Sequence, residues 1–433
     1  MYRTSRQPTS PGPDRPLEPV QVDQFFRELL RKDPENAEIL SDYAGFLRSI
    51  ESFERSQQMY ERALTLQPDN SDLLCDFADL LLSVSDDRER AGALLRRAME
   101  IAPEDGLIIA CYGTLRWIEE ATAEAEELYE RALKLSPEVA EVHARFAWFH
   151  TLEGMDWDRA EVHYERAVEL AANDFSTLFR YARFLRHMKK DLDRAEAFYD
   201  RALAIDPADS ELLGEYALFQ VQDRRNFDRA EELLNAAVAN DPDNSSLLGN
   251  FAVFYRRERG DMDRAEEMYE RAYQAQPDNI LNLINYAWFL YTVRHNSDRS
   301  FEFFERAGEL GADSATFFGN FGQLLLGRND FERGMGYINR ASELNDGHPE
   351  LDLEIAFCRY VYLDGQESQH ALQEVRRMLS EGVRSPDWSL MPHVRLVVQK
   401  EGRVEEWLTD LASVIAGQAD WEQLEKHVQW QTG

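Results

Sequence analysis

The chain has 433 residues, a length that by itself suggests about three domains. Hydrophobic residues make up 44% of it, enough for a buried core, while 81 Asp and Glu against 48 Lys and Arg leave a net charge of −33. This charge argues against a nucleic-acid-binding surface and against adhesion to an anionic membrane, because both require a broad cationic footprint.

The N-terminal segment is rich in proline. Five prolines within residues 1–20 prevent a continuous helix, so we predict a disordered tail there. The segment lacks the apolar region of a signal peptide, and no stretch approaches the roughly 20 apolar residues that cross a bilayer. These features favour a cytoplasmic protein. Residues 21–36 predict a single capping helix that contains Phe26 and is closed by Pro34.

A repeat of 34 or 35 residues organises the following part of the chain. An aromatic residue followed by a small one, which we call the anchor, recurs nine times, at Tyr43, Phe77, Tyr112, Phe146, Tyr181, Tyr216, Phe251, Tyr286 and Phe321. An Arg-Ala pair and a closing proline recur in step with the anchor. Three landmarks in one register define nine repeats over residues 37–348.

Each repeat is predicted to contain two amphipathic helices. In the eighth repeat, Leu283, Tyr286, Ala287 and Leu290 lie at i, i+3, i+4 and i+7, on one face of a first helix over residues 280–291. A second helix follows with the same periodicity. Such a pair cannot bury its apolar face alone, so successive repeats must stack on one another.

These landmarks resemble the tetratricopeptide repeat, which pairs a large and a small residue in its first helix, an aromatic and an alanine in its second, and a closing proline. Tyr286, Tyr269, Ala272 and Pro277 stand in those roles. The resemblance covers about residues 21–381. It implies an all-α fold, a right-handed superhelical solenoid of about nine to ten helix-turn-helix repeats with helical caps.

Some features depart from this family. Most repeats have one residue more than the family's 34, which we place between the two helices, and leucine replaces the first-helix tryptophan. The Tyr-Glu-Arg-Ala-Leu strings at residues 60–64 and 129–133 also resemble the half-a-tetratricopeptide repeat of RNA-processing scaffolds. The closing prolines favour the first family, and both families share one architecture.

The C-terminal part of the chain loses the repeat pattern gradually. Residues 349–381 predict a degenerate tenth repeat, and residues 382–433 predict three short amphipathic helices marked by Trp407, Trp421 and Trp430. We interpret these helices as a cap over the last apolar face. A separate docking module is the alternative.

No catalytic or cofactor motif is recognisable. The densest histidine group, His143, His150 and His163, has no metal-ligand spacing, and neither a nucleophile elbow nor a phosphate-binding glycine loop occurs. We therefore predict a non-enzymatic scaffold without cofactor or metal, whose partner is a protein or an extended peptide rather than nucleic acid or a membrane. An RNA-processing scaffold and an enzyme with an unrecognised site are the alternatives, and the sequence leaves self-association open.

The resemblance also indicates where a partner binds. In tetratricopeptide-like stacks, the side of the first helix opposite the anchor lines the concave groove, and positions −1 and +2 from the anchor point to that side. The −1 positions read Asp42, Asp76, Cys111, Arg145, Arg180, Glu215, Asn250, Asn285 and Asn320.

Two parts of this surface are candidate binding sites. Arginine suits capture of a carboxylate or phosphate, so we predict an acid-binding patch beside Trp148 formed by Arg145, Arg180, Arg183 and Arg186. Pairing of these arginines with glutamates of neighbouring helices is the alternative.

The second candidate is an asparagine ladder. A side-chain amide can satisfy a peptide N–H and C=O together, so we predict that Asn250, Asn285 and Asn320 hold an extended peptide, with Trp288 and Tyr291 as stacking surfaces. The alternative is that the asparagines are neutral surface residues copied by duplication.

Overall fold

The computed structural model describes residues 19–50, 52–84, 87–153, 156–345, 347–386, 390–401 and 405–431. Within these ranges the secondary structure is helical, and no strand occurs. Residues 1–18 of the predicted tail lie outside the described residues. The first helix begins at Pro19, inside the segment that we predicted to be tail. No helix in the described ranges is both long and apolar enough to cross a membrane.

The chain divides into two compact units, which meet in sequence at Tyr216 and Ala217. The helices of the N-terminal unit are α1 (Pro19–Lys32), α2 (Ala37–Ser49), α3 (Phe53–Leu66), α4 (Ser71–Val84), α5 (Arg88–Ile101), α6 (Gly106–Ile118), α7 (Thr122–Leu135), α8 (Ala140–Glu153), α9 (Trp157–Leu170), α10 (Phe175–Phe184), α11 (Leu192–Ile205) and α12 (Ser210–Phe219), which spans the division.

The C-terminal unit continues the same alternation. Its helices are α13 (Phe227–Asn240), α14 (Ser245–Phe254), α15 (Met262–Ala275), α16 (Ile280–Thr292), α17 (Ser297–Glu309), α18 (Ala315–Gly327), α19 (Phe331–Leu344), α20 (Pro349–Tyr362), α21 (Gly365–Ser380), α22 (Met391–Glu401), α23 (Glu405–Ile415) and α24 (Val428–Gln431), with a 3₁₀ turn at Trp421–Lys426. The predicted helix pairs of an all-α solenoid are thus confirmed: even-numbered helices α2 to α18 are first helices, and the second helix that follows packs against each of α2, α4, α6, α8, α10, α14, α16 and α18.

The repeats are joined by stacked aromatic rings. A second-helix aromatic packs on the anchor 17 residues further on, with ring centroids 5.1–5.7 Å apart, in the pairs Tyr60–Phe77, Tyr129–Phe146, Tyr164–Tyr181, Tyr199–Tyr216, Tyr269–Tyr286 and Phe304–Phe321. The small residue after each anchor lets the helices approach closely enough for this contact. In the predicted capping helix, Phe26 stacks on Tyr43 at 5.2 Å and so takes the place of a second-helix aromatic.

The arginine of the Arg-Ala pair ties several second helices to the turn that closes the preceding repeat. Arg62, Arg131 and Arg271 donate to the carbonyl oxygens of the closing prolines Pro34, Pro103 and Pro242 at 3.1, 2.9 and 3.3 Å. In the next turn along, Asp and Asn residues cap the first helices; Asn279, for example, accepts from the Asn282 amide at 3.1 Å. The recurring landmarks therefore mark the contacts between repeats.

In the fifth, sixth and seventh repeats, which have 35 residues, the extra residue lies in the last turn of the first helix. Where the repeat has 34 residues, the amide before the second helix bonds five residues back, as Ala121 does to the Arg116 carbonyl at 2.9 Å. Where it has 35, the bond spans six residues, as from Asp191 to Leu185 at 3.0 Å, and Leu185–Lys189 forms a π-helical turn. The prediction that this residue lies between the two helices is therefore wrong for these repeats, because it lies within the first helix.

The C-terminal helices pack on the end of the stack. Trp407 is buried and donates its indole N–H to the Tyr360 hydroxyl at 2.7 Å, which joins α23 to α20. The guanidinium of Arg376 in α21 lies 5.0 Å above the ring of Trp430. Trp421, in contrast, is exposed.

The aromatic contact between repeats can be tested at Tyr129, which is buried, stacks on Phe146 and bonds Thr114 through its hydroxyl at 2.8 Å. We expect Tyr129→Ala to lower the free energy of unfolding by about 3–5 kcal/mol, because it removes the ring from a closed core. Tyr129→Phe keeps the ring and should lose only about 1 kcal/mol. Urea denaturation followed by circular dichroism measures both; equal losses would mean that the stacked ring does not stabilise the contact between the repeats.

Candidate functional site

The three predicted ladder asparagines lie at equivalent positions of three consecutive first helices, α14, α16 and α18. Asn250 is exposed, and Asn285 and Asn320 are half-buried. Each precedes an anchor that packs toward a second helix, as Tyr286 does on Tyr269. The asparagines therefore lie on the opposite side of the first helices, which we call the groove face. None of the three side-chain amides forms a hydrogen bond with the described residues of the chain.

Other asparagines of the same helices are engaged internally. Asn244 and Asn279 cap α14 and α16 by accepting backbone N–H groups at 3.1 Å. Asn282 is buried and donates to the Ser245 carbonyl at 2.8 Å. The ladder asparagines thus differ from their neighbours in having both donor and acceptor available on the groove face.

An apolar residue that the sequence reasoning missed extends this surface. Leu281 is 64% exposed on α16 and lies four and seven residues before Asn285 and Trp288, on the same helix face. The equivalent positions in α14 and α18 hold the exposed, more polar Ser246 and Thr316. Reading position −5 from the anchor would have found it. The groove face of α16 therefore presents apolar, amide and aromatic groups in one row.

The structure does not place Tyr291 on this surface, which corrects the prediction that it contacts a partner. Tyr291 is only 8% exposed, and its hydroxyl points at Gly327, where an added Cβ would collide with it. Burial raises the pKa of this hydroxyl. Its ring lies 5.9 Å from that of the half-buried Trp288, so it supports Trp288 from beneath.

The predicted four-arginine patch is partly neutralised by internal ion pairs, as its alternative anticipated. Arg145 is 15% exposed and pairs with Asp79 and, at 2.9 Å, with Glu141. Although burial alone would raise the pKa of Glu141, the charge of the Arg145 guanidinium lowers it. Arg186 is buried, with Glu215 at 3.7 Å. Arg145 and Arg186 are therefore not available to an acidic partner.

Two arginines of the patch remain at the groove face. The guanidinium of Arg180 lies 5.4 Å above the ring of Trp148, and both residues are half-buried. Arg183 lies 5.8 Å above the ring of Phe179, and its ion pair with the exposed Glu211 is long, at 3.9 Å. A cation stacked on an aromatic ring is preoriented for a planar anion. The candidate acid-binding surface is therefore reduced to Arg180 and Arg183 beside Trp148.

The histidine group lies in the core of the fourth repeat. His143 donates from Nε2 to the Pro137 carbonyl at 3.0 Å, so its Nδ1 accepts from His163 Nδ1 at 3.0 Å. His150 is 1% exposed, and neither of its ring nitrogens has a partner among the described residues. Burial, with the neighbouring rings, lowers the pKa of His163 to about 4, and burial also lowers the pKa values of His143 and His150.

One cluster of potential metal ligands lies in the C-terminal helices. Glu406, Asp410 and His427 bring ligand atoms within 4.8 Å of one another. The ammonium group of Lys426 already lies 3.3 Å from Glu406 and 2.8 Å from Asp410, and His427 bonds Asp410 at 2.7 Å. The ammonium group of Lys426 thus neutralises part of the negative charge of these carboxylates. These ion pairs join the 3₁₀ turn to α23.

The stacked helix pairs, repeating contacts and groove face define a helical-repeat protein. Family models of the tetratricopeptide repeat match residues 152–210, 186–249 and 221–280. These residues are tetratricopeptide repeats, as the sequence predicted. Such repeats generally bind protein partners, so the protein is an interaction scaffold in this general sense. Among curated proteins, none matches the chain significantly by sequence.

Solved structures with a similar fold are distant. Yeast Tom70 is 15% identical, covers 94% of this chain and 96% of its own, and gives a TM-score of 0.44. The human IFIT1 dimer with PPP-AAAA is 16% identical over 75% of this chain and 85% of its own, with a TM-score of 0.44. A tetratricopeptide repeat protein from Parabacteroides merdae is 14% identical over 66% and 97%, with a TM-score of 0.40.

The buried histidines predict a loss of stability in mild acid. Because their pKa values are lowered on folding, the unfolded chain binds more protons below about pH 6.5, and the urea midpoint should fall between pH 7 and 5.5. His150→Leu should flatten this dependence, whereas His370→Leu, at an exposed position, should not.

Other charges face the same cluster or titrate in the same range. Arg159, Arg166, Glu126 and Glu138 surround the histidines and are present in both variants. Asp76, whose pKa desolvation and nearby carboxylates raise to about 6, stabilises the fold as the pH falls, and so acts with the opposite sign. The comparison between variants removes these contributions. Equal slopes for wild type and His150→Leu would contradict the prediction.

Proposed function

We propose that this protein is a non-enzymatic scaffold that binds an extended peptide segment of a partner protein on the groove face of α14, α16 and α18. The observation that carries the proposal is the set of three side-chain amides, at equivalent positions, that form no hydrogen bond within the described chain. Each amide offers a donor and an acceptor, the pair that one peptide group requires.

The spacing of the amides suits a peptide backbone. Equivalent positions on stacked helices lie about 8–10 Å apart. Three residues of extended chain span roughly 10 Å, and one turn of polyproline helix spans about 9 Å. Asn250, Asn285 and Asn320 can therefore each meet one peptide group in every three residues of a bound segment.

The apolar residues between the amides provide side-chain selectivity. Leu281 and Trp288 flank Asn285 along α16, and a partner that covers the exposed leucine gains free energy by removing its apolar surface from water. An aromatic ring also favours proline and other flat side chains in an extended ligand. The central repeat would therefore prefer an apolar or proline side chain.

Peptide binding is tested with Asn250→Ala/Asn285→Ala/Asn320→Ala. Each hydrogen bond to a peptide group contributes about 1 kcal/mol, so we expect affinity to fall on the order of 10- to 100-fold. The probe is an array of 12-residue peptides that includes residues 8–19 of this chain, followed by calorimetry on the best binders.

The matched control is Asn235→Ala/Asn240→Ala, which removes two exposed amides from the second helix α13. It should bind as the wild type does. A ladder variant that stays folded and keeps its peptide profile would show that the asparagines are only copies of one another. Preferential binding of single-stranded RNA by the wild type would instead favour the RNA-scaffold alternative.

A second, smaller surface in the N-terminal unit is supported by the stacked pair of Arg180 and Trp148. We propose that this pair, with Arg183, binds an acidic side chain of a partner. The proposal rests on two cations that face the groove without a short ion pair in the described chain, in contrast to Arg145 and Arg186.

Charge-reversal variants distinguish the effect of this surface on binding from the effect of the protein's net charge. We expect Arg180→Glu to weaken binding of an acidic peptide such as hexaglutamate at least tenfold at low salt, and the wild-type affinity to fall as salt is added. Lys134→Glu makes the same change in net charge at an exposed second-helix position and should have little effect. Fluorescence anisotropy measures both variants, and equal losses would show that only the overall charge matters.

A further inference from the structure

Two cysteines from consecutive first helices lie in direct contact. Cys75 in α4 and Cys111 in α6 place their sulfur atoms 2.8 Å apart, and both residues are buried, with 4% and 1% of their surface exposed. They are 36 residues apart in the chain and belong to the second and third repeats. The third cysteine, Cys358, is also buried, but in the C-terminal unit.

The distance between the two sulfur atoms suits a disulfide better than a metal. A disulfide bond is about 2.05 Å long, so each sulfur must move by only about 0.4 Å to form one. Two thiolates on a tetrahedral zinc ion lie roughly 3.8 Å apart, which follows from a bond length of about 2.3 Å. The pair is therefore closer to covalent linkage than to the geometry of a shared metal.

The surroundings limit which oxidant can reach the pair. Arg145 in α8 reaches over α6, where it contacts Thr114 at 3.4 Å, to its ion-pair partner Asp79 in α4. Its guanidinium thus spans the two helices that carry the cysteines, on the groove side. Burial and this cover exclude bulky disulfides such as oxidised glutathione, whereas hydrogen peroxide is scarcely larger than water.

We propose that Cys75 and Cys111 form a peroxide-sensitive thiol pair that links the second and third repeats by a disulfide. One thiolate attacks a peroxide oxygen, which breaks the O–O bond, gives a sulfenic acid and releases hydroxide. The second thiol then attacks that sulfur, forms the S–S bond and releases water. In total, two thiols and one hydrogen peroxide give one disulfide and two water molecules, with the thiols oxidised and the peroxide reduced.

Such a link would change the groove face at the second and third repeats. Cys111 occupies the −1 position on the groove face of the third repeat, so the bond fixes the separation of α4 and α6 beneath the Arg145–Asp79 ion pair. Cross-linking residues 36 apart also restricts the unfolded chain, which stabilises the folded repeats. Contact with Cys111 and burial raise the pKa of the Cys75 thiol, so the reaction should accelerate as the pH rises.

The test treats the full-length folded protein with hydrogen peroxide, quenches it with an alkylating reagent in denaturant, and maps the peptides without reduction. We expect the number of titratable thiols to fall from three to one, with a Cys75–Cys111 peptide that dithiothreitol cleaves. The oxidised protein should also unfold at a higher temperature than the reduced protein.

Cysteine variants show which residues form the cross-link. Cys358→Ser should leave the cross-link intact, and Cys111→Ser should abolish it. The proposal is overturned if all three thiols remain titratable after treatment, or if Cys75 and Cys111 are oxidised separately to sulfinic acid. If Cys111→Ser does not fold, the peptide map of the wild type and of Cys358→Ser still decides between these outcomes.

Discussion

The contact on which each compact unit depends is the stacking of a second-helix aromatic on the anchor of the next repeat. A helix pair cannot bury its own apolar face, so the energy that holds one repeat folded comes from its neighbour. The ring pairs recur 17 residues apart, from Phe26 and Tyr43 in the cap to Phe304 and Phe321. Because this contact turns the anchors toward the second helices, it also turns the asparagines of the −1 positions toward the groove face. Packing and binding surfaces are therefore set by the same register.

The parts of the fold that depend on periodicity could be predicted from the sequence. The helix pairs, the role of Phe26 in the cap and the capping asparagines all follow from residues that recur at fixed spacing, and each such position has one environment. The placement of the extra residue could not be derived in this way. Whether a chain adds a loop residue or a π-helical turn depends on hydrogen bonds that leave no signal in composition, and the bond from Asp191 to Leu185 is visible only in the structure.

The helix face on which the candidate residues lie could be predicted from the sequence. Whether their side chains are free to contact a partner could not. A helical wheel correctly places Asn285 and Arg180 opposite the anchors, but it cannot show which charges are already paired. Arg145 finds Asp79 two repeats away, and such a contact depends on how far a side chain reaches across the stack. The prediction for Tyr291 was wrong for a related reason. A residue at the edge of the apolar face packs inward when the neighbouring helix has a glycine at the contact, as α18 does at Gly327. Whether a long side chain, or a residue at the boundary of the apolar face, is accessible to a partner can be read only from the three-dimensional structure.

The first helix ends with a hydrogen bond that spans either five or six residues, and this has a consequence for the evolution of the repeats. A single inserted residue would shift the phase of every contact downstream if it fell within a helix that packs on both sides. Here it falls in the last turn of the first helix, and the hydrogen bond from the second-helix cap returns to the same position, four residues after the anchor, in both lengths: Arg116 in one case and Leu185 in the other. A repeat of either length thus brings the chain back to the same point before its second helix begins, so gene duplication can combine both lengths in one stack.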